Sequence, residues 1–315
     1  MPCYSPLHAY KTKSNDAGKI GIVFSRPASW RGERLDLPCG QCVGCRLERS
    51  RQWAVRCMHE ASLYEENSFL TLTYEDKYLP ANRSLVKSHF QKFMKRLRKS
   101  IAPKVVRYYH CGEYGEPPNS RPHYHALLFN HSFSDRKFFK RGANESTLWT
   151  SGTLSELWPM GFSVIGDVSF ESAAYVARYI LKKVTGKKAA DHYGERLPEY
   201  TTMSRGSKKS CTGGIGKGWY DKFKNDVYPL DRVVVRGRDT RPPRFYDSLL
   251  GREDPSTLAL LKIDREFNSI HFVTDVLSDG RVISVSDSSG PRLLVKEAVK
   301  LASISTLTRP LEKIK

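Results

Sequence analysis

The sequence predicts an α+β fold: a central antiparallel sheet with packed helices, followed by a C-terminal extension of less defined type. Three observations carry this reading. β-Prone runs recur at 69–74, 105–113, 124–129 and 164–170. Helical patterns fall between and after them, at 84–99 and 172–183. The resulting order of strand, helix, strand, strand, helix favours antiparallel pairing, with the helices expected on one face of the sheet.

Each element has its own signal. Residues 1–45 are rich in Pro, Gly and polar groups, with one short strand expected at 21–24. From 46 to 66 the pattern turns helical, with Leu47, Trp53, Val55, Cys57 and Leu63 as inward positions. Phe69-Leu70-Thr71-Leu72-Thr73-Tyr74 alternates and is β-prone throughout, so Thr71 and Thr73 either meet solvent or line a site. Ser84 is the expected cap of the next helix, whose stripe is Phe90, Phe93, Met94 and Leu97. Its other face is basic, with Lys87, Lys92, Lys95, Arg96, Arg98 and Lys99. Pro103 ends it, and the strands at 105–113 and 124–129 are joined by loop-forming Gly115-Glu116-Pro117-Pro118-Asn119-Ser120. Beyond Val184 the expectations are a helix at 255–267 and a hairpin of 270–276 with 281–285. The chain thus divides by sequence into 1–66, 67–200 and 201–315.

Composition narrows the function. The 315 residues include 52 Lys and Arg against 33 Asp and Glu, a formal charge of +19. That excess favours a polyanionic partner through steering and counterion release, nucleic acid before anionic membrane. Hydrophobic residues make up 39% of the chain, enough for a real core, and no run approaches the length of a membrane span. Met1-Pro2-Cys3-Tyr4-Ser5-Pro6 lacks the basic-then-apolar order of a signal peptide, so the cytoplasm is the expected location. Lys208 to Gly218 is rich in Gly and Lys, but Lys217 precedes Gly218 where a phosphate loop needs Lys followed by Ser or Thr.

The chemistry concentrates in two places. His123 and His125, in Pro122-His123-Tyr124-His125-Ala126, lie two apart on a strand and point to one face about 6.6 Å apart. Two such imidazoles can share a divalent ion, with Glu113 from the preceding strand as preferred third ligand and Glu116 as the alternative. Two imidazoles and a carboxylate suit Mg²⁺ or Mn²⁺ and also accept softer ions. Two histidines alone could also be polar residues on a sheet face; the neighbouring acid and the next motif sharpen the metal reading. That motif is Tyr175-Val176-Ala177-Arg178-Tyr179-Ile180-Leu181-Lys182. Tyr175 and Tyr179 are one helical turn apart, and Arg178 and Lys182 follow each by three positions, where cations favour a phenolate and clamp a phosphate. The plainer alternative is an amphipathic helix whose tyrosines cap a core. Together the motifs suggest a nuclease that attacks a phosphodiester with tyrosine.

In this order the motifs resemble those of rolling-circle replication initiators of the His-hydrophobe-His endonuclease superfamily. More closely, they resemble the replication-associated proteins of the gokushovirus branch of the microviruses. The resemblance runs through Phe69–Tyr74, Gly112-Glu113-Tyr114-Gly115 with Arg121–Phe129, and Tyr175–Lys182. It implies a metal held by Glu113, His123 and His125, and Tyr175 and Tyr179 as paired nucleophiles. It implies origin-specific nicking of phage DNA through a 5′-phosphotyrosine, release of a 3′-hydroxyl for rolling-circle synthesis, and joining of circular single strands. Partners so implied are phage origin DNA, single-stranded DNA, and a host helicase and DNA polymerase in the bacterial cytoplasm, with no membrane. Arg178 stands where two-tyrosine relatives often carry lysine, and a rigid guanidinium is not an ammonium. Rival readings are a single-strand transposase or relaxase, and a non-catalytic zinc-dependent nucleic-acid-binding protein.

Seven cysteines are present, three of them at Cys39, Cys42 and Cys45. Cys3 or Cys57 can complete four thiolates for structural Zn²⁺, and His59 is another candidate ligand. Buried reduced cysteines and a redox or iron–sulfur site are the alternatives. Arg46, Arg49, Arg51 and Arg56 follow at once, either on a DNA-contacting helix or on a solvated charged one.

Overall fold

A computed structural model describes residues 3–14, 20–26, 34–115, 120–142, 146–184, 186, 188–206, 213–228, 230–276 and 281–305. Strands β1 (Leu7–Ser14), β2 (Ile20–Val23) and β3 (Arg34–Leu37) precede helix α1 (Val43–Ala61). Strand β4 (Asn67–Leu72) leads to α2 (Lys87–Ser100), and β5 (Arg107–Tyr114) and β6 (Pro122–Phe129) follow. Then come β7 (Lys137–Arg141), β8 (Thr147–Thr150), α3 (Gly152–Leu157), β9 (Ser163–Gly166) and α4 (Phe170–Lys182). The chain continues through α5 (Lys188–Tyr193), β10 (Tyr200–Met203), α6 (Lys217–Val227), β11 (Val233–Val235), β12 (Arg238–Thr240) and α7 (Arg244–Glu253). It closes with α8 (Pro255–Phe267), β13 (Phe272–Val276), β14 (Val282–Ser286) and α9 (Gly290–Ser305).

Packing groups these elements into two compact units: Arg49–Leu258 in one, Met1–Glu48 with Ala259–Thr308 in the other. This differs from the division by sequence order, because residues 217–258 belong with the sheet that carries the predicted site and the last helices belong with the first strands.

The larger unit is α+β. Seven of its strands form one sheet in the order β10-β5-β6-β4-β9-β8-β7, each neighbouring pair antiparallel, and β11 pairs separately with β12. One face gathers Leu70, Leu72, Tyr124, Ala126 and Leu128 against Phe90, Phe93, Met94 and Leu97 of α2 and Leu154 and Leu157 of α3. The other gathers Phe69, Tyr109, Cys111, Leu127 and Phe129 against Ala54, Cys57 and Ala61 of α1 and Ala173, Val176 and Ala177 of α4. Helices therefore cover both faces, where one was expected. The physical reason is visible in Ala126-Leu127-Leu128-Phe129: an unbroken apolar run presents hydrophobic side chains to both sides, and each side needs cover. Burying one such Leu or Phe side chain stabilises by roughly 1.5–3 kcal/mol.

Several local expectations shift. Helix α2 begins at Lys87 with Val86 at its N-cap, and Ser84 instead accepts from Leu197 N through its hydroxyl. Helix α4 begins at Phe170, capped by Ser169, and the strand before it stops at Gly166. In the smaller unit, residues expected to be mostly loop form the antiparallel sheet β2-β1-β3. The predicted C-terminal hairpin is present as β13 and β14, paired from Phe272↔Ser286 to Val276↔Val282; its turn at Asp279-Gly280 lies outside the described residues. Among the described residues no helix is long and apolar enough to cross a membrane.

Candidate active site

Register brings the site together. In the β5–β6 pair Glu113 stands opposite His123 and Cys111 opposite His125; in the β4–β6 pair Thr71 stands opposite His125. Because strand side chains alternate, Glu113, His123, His125 and Thr71 share the face that α4 covers. Glu113 Oε1 lies 2.6 Å from His123 Nε2 and 2.9 Å from His125 Nε2. The Glu113 side chain is 2% exposed and His125 5%, against 18% for His123, so the cluster opens to solvent on the His123 side. Glu116, the alternative ligand, lies outside the described residues.

Hydrogen bonds set which atoms face inward. His123 Nδ1 is 3.0 Å from the Arg121 carbonyl oxygen, which can only accept, so Nδ1 carries the proton and Nε2 keeps its lone pair. His125 Nδ1 is 3.0 Å from Thr71 Oγ1, a hydroxyl that accepts from it when Nδ1 carries the proton. Two lone pairs and a carboxylate then converge, an arrangement that repels itself unless a proton or a cation sits among them. Among the described residues buried Glu113 Oε2 has no hydrogen-bond partner, a further acceptor left for a cation. The three donor atoms lie within 4.8 Å of one another. Burial pushes the Glu113 carboxyl up, but where protons occupy the imidazole Nε2 atoms the charge and hydrogen bonds of His123, with those of His125, outweigh it and hold the group at about 2. The donor set thus fits a divalent ion, and the Arg121 carbonyl and Thr71 hydroxyl are the outer partners that orient its imidazoles.

The tyrosine helix lies over this cluster. Ser169 and Ser172 cap α4 reciprocally, with Ser169 N donating to Ser172 Oγ at 2.8 Å and Ser172 N to Ser169 Oγ at 3.2 Å. Val176 and Ala177 are fully buried and anchor the helix on the sheet. That seating places the Tyr175 hydroxyl 3.4 Å from Glu113 Oε1 and 3.5 Å from His125 Nε2. The Tyr175 ring meets His125 edge-on at 5.0 Å and Phe69 at 6.3 Å. Arg178 is partly exposed one turn further on. Tyr179 and Lys182 belong to the same helix, and their side chains lie outside the described residues.

Elsewhere the structure reassigns residues. Cys3, Cys39, Cys42 and Cys45 stand together, whereas Cys57 is fully buried in the core beneath α1. His59 is no companion of the cysteines: it stacks on Trp219 at 3.5 Å and meets Tyr246 Oη at 2.9 Å, and burial lowers it to about 3. Two of the arginines after the cysteines are engaged within the fold. Arg51 bonds Thr240 Oγ1 and the Arg241 carbonyl; Arg56 bonds the Ile215 carbonyl and lies over Trp53 and Phe245. Arg96, counted in the basic surface of α2, bonds the Leu157 carbonyl at the end of α3, while Lys87, Lys92, Lys95, Arg98 and Lys99 stay exposed. Of the glycine-rich stretch, 207–212 lies outside the described residues, and the rest packs: Gly216 has φ +83°, its N–H reaches buried Glu60 at 2.7 Å, and a Cβ there would meet Tyr246 Oη at 2.7 Å. Thr71 and Arg121 are the site residues that sequence reasoning left unassigned. The alternation of β4 placed Thr71 on a candidate face, but nothing local marked the Arg121 carbonyl.

The chain is similar to known replication-associated proteins. The family model for replication-associated protein ORF2/G2P matches residues 67–184, the span from β4 through α4. Replication-associated protein VP4 of Bdellovibrio phage phiMH2K is 32% identical over 263 residues, 81% of this chain and 79% of that protein. Replication-associated protein ORF2 of Spiroplasma virus 4 is 32% identical over 338 aligned positions, 99% of both chains. Replication-associated protein ORF4 of Chlamydia phage 1 is 29% identical over 243 residues, covering 75% of this chain and 57% of that protein. No solved structure matches the chain. With similarity extending over the full length of a relative, the chain belongs to the replication-associated protein family of bacteriophages.

Proposed function

We propose that this protein initiates phage DNA replication as a metal-dependent DNA endonuclease and strand-joining transesterase of the His-hydrophobe-His type. Family membership supports a role in phage DNA replication; the chemistry is our reading of the site. The observation that carries it is the Tyr175 hydroxyl standing 3.4 Å from the carboxylate of a Glu–His–His donor cluster.

In this reading Glu113, His123 and His125 hold a Mg²⁺ or Mn²⁺ ion. Such an ion polarises a non-bridging phosphate oxygen and offsets charge that grows in the transition state. The chain's own residues do the rest. The Tyr175 phenol loses its proton, its oxygen bonds to phosphorus, and the bond from phosphorus to the 3′-oxygen breaks, leaving a 5′-phosphotyrosine and, once protonated, a 3′-hydroxyl. The linkage keeps the phosphodiester's energy, so attack by a 3′-hydroxyl reverses it and seals the strand. Arg178 and Lys182 supply charge for phosphate on the same helix, and Tyr179 serves as second nucleophile when a copied junction returns. The exposed cations of α2 add sequence-independent phosphate contacts. Strand separation and synthesis fall to a host helicase and DNA polymerase in the bacterial cytoplasm.

The test is covalent capture. Labelled single-stranded fragments tiling the phage genome are incubated with protein and Mn²⁺, then resolved under denaturing conditions. Wild type yields a protein–DNA adduct, and Tyr175→Phe loses the first cleavage while Tyr179→Phe keeps it. A folded, metal-bound wild type that forms no adduct on any fragment refutes the nicking mechanism. An adduct that persists in Tyr175→Phe and vanishes in Tyr179→Phe moves the first nucleophile.

A further inference from the structure

The cysteines near the start of the chain are not used by this chemistry, yet they are the second place where donor atoms converge. Cys3 precedes β1, Cys39 and Cys42 follow β3, and Cys45 lies in the first turn of α1. Their four sulfurs lie within 4.8 Å of one another, and Cys42 Sγ is 4.0 Å from Cys3 Sγ. That separation is about twice a disulfide bond of ~2.05 Å. It is close to the edge of a tetrahedron of sulfurs around one ion, ~3.8 Å when each metal–sulfur bond is ~2.3 Å.

The backbone is arranged around sulfur as well. Gln41 N and Cys42 N point at Cys39 Sγ from 3.4 and 3.2 Å. Tyr4 N and Cys45 N point at Cys42 Sγ from 3.4 and 3.5 Å, and Cys39 N points at Cys3 Sγ from 3.3 Å. Thiols are weak acceptors, and five amides aimed at three of them make sense when the sulfurs carry charge. Four thiolates around a divalent cation leave two net negative charges, which such amides offset. The turn that aims two of these amides depends on Gly40, at φ +74°. A Cβ there would meet nothing within 4 Å, so its conformation, not space, calls for glycine.

We infer that Cys3, Cys39, Cys42 and Cys45 form a closed tetrahedral zinc site that ties the first residues of the chain and the turn after β3 to the start of α1. All four positions are filled by protein sulfur, which leaves no position open for water or substrate, so the site is structural. A cluster of several irons would spread its cysteines further apart than a single ion does. Closing the long excursion from Cys3 to Cys39 removes freedom from the unfolded chain, a direct gain for strands as short as β2 and β3.

The test uses the full chain, purified under reductant and without chelator. Metal analysis is expected to find one zinc per chain that survives dialysis. Replacing zinc with Co²⁺ is expected to give the intense sulfur-to-metal charge transfer and visible bands of tetrahedral thiolate cobalt. The double variant Cys39→Ser, Cys42→Ser is expected to lose the zinc and the bands, whereas the double variant His123→Ala, His125→Ala keeps both. Should the cysteine variant fail to fold, the wild-type cobalt spectrum decides alone, because imidazole and carboxylate give no sulfur band. Zinc without sulfur charge transfer, iron with or without sulfide, or four freely alkylated thiols in metal-supplemented native protein would each overturn the assignment.

Discussion

Strands β5 and β6 carry histidines on both faces of the sheet, and only one face has the makings of a site. His110, facing α2, is buried, stacks on Phe90 at 3.5 Å and meets Thr202 Oγ1 at 2.8 Å. Among the described residues its Nε2 has no hydrogen-bond partner, and burial, with the nearby charge of His125, drives its pKa well below the usual histidine value. It is a neutral ring in an aromatic core. His125, equally secluded on the opposite face, has the Glu113 carboxylate, a second imidazole and a tyrosine hydroxyl within 5.0 Å of its ring or its nitrogens. The difference is not burial or residue type. It is whether other acceptors converge on the same point, and the one-residue alternation of a strand decides that.

Breaking the face proposed to be reactive should therefore have the largest effect on activity. Glu113→Gln keeps the shape and removes the charge, and adduct formation should fall by about 10²–10³-fold, the scale of losing a principal electrostatic contact in a transition state. The measure is a single-turnover rate, with circular dichroism confirming the fold. Next is Thr71→Val, which removes the partner of His125 Nδ1 and leaves every donor atom in place. Loss of such an orienting partner should weaken Mn²⁺ binding by roughly 10–100-fold by calorimetric titration. An unchanged affinity would show that packing alone sets the His125 ring.

On the other face the readout reverses. His110→Leu takes this partner from the half-buried Thr202 hydroxyl and removes a stacked core ring, and should cost about 1–3 kcal/mol of stability by urea unfolding. The cleavage rate per folded molecule should stay as in wild type; a collapse of that rate would mean that both faces serve the reaction. The smallest effect is on pH dependence. His59 is neutral in the fold down to about pH 3 because it is buried, whereas in the unfolded chain it takes up a proton near pH 6.5. Its contribution is complete above pH 6.5 and is lost as pH falls from 6.5 toward 3, since the unfolded state binds the extra proton. His59→Phe should flatten the fall in urea midpoint between pH 7.5 and pH 5, and an unchanged slope would assign that acid sensitivity to other groups, His110 first.

Much of the candidate site was legible in the sequence. His123 and His125 needed only strand periodicity, and Glu113 needed only a hairpin between two visible strands. The helix carrying Tyr175 declared itself through its apolar spacing, although its start at Phe170 behind the Ser169–Ser172 box was displaced by two residues. What stayed hidden were short or polar strands. β7 reads Lys-Phe-Phe-Lys-Arg and is largely exposed, and β1 fully buries Ala9 while much of the strand stays open to solvent, so neither offers the apolar alternation that marks a strand. Arginine was misleading for a related reason. Arg51, Arg56 and Arg96 look like a nucleic-acid surface in the sequence, but a guanidinium can cap a helix end or cover an aromatic ring as readily as it meets phosphate.

By itself the sequence determined the residue types, their spacing and their order: a His-x-His strand, an acid ten residues before it, two tyrosines one turn apart, and Cys-x-x-Cys-x-x-Cys. Those are local properties, set by backbone periods that hold in any fold. Only the tertiary structure decided that Glu113 and not merely some acid faces both imidazoles, that Tyr175 stands over them, and that Cys3 and not Cys57 joins the cysteine trio. Those choices depend on strand register and on which helix covers which face. Both are settled by burying the apolar residues of the whole sheet at once, a global optimum that no short segment encodes.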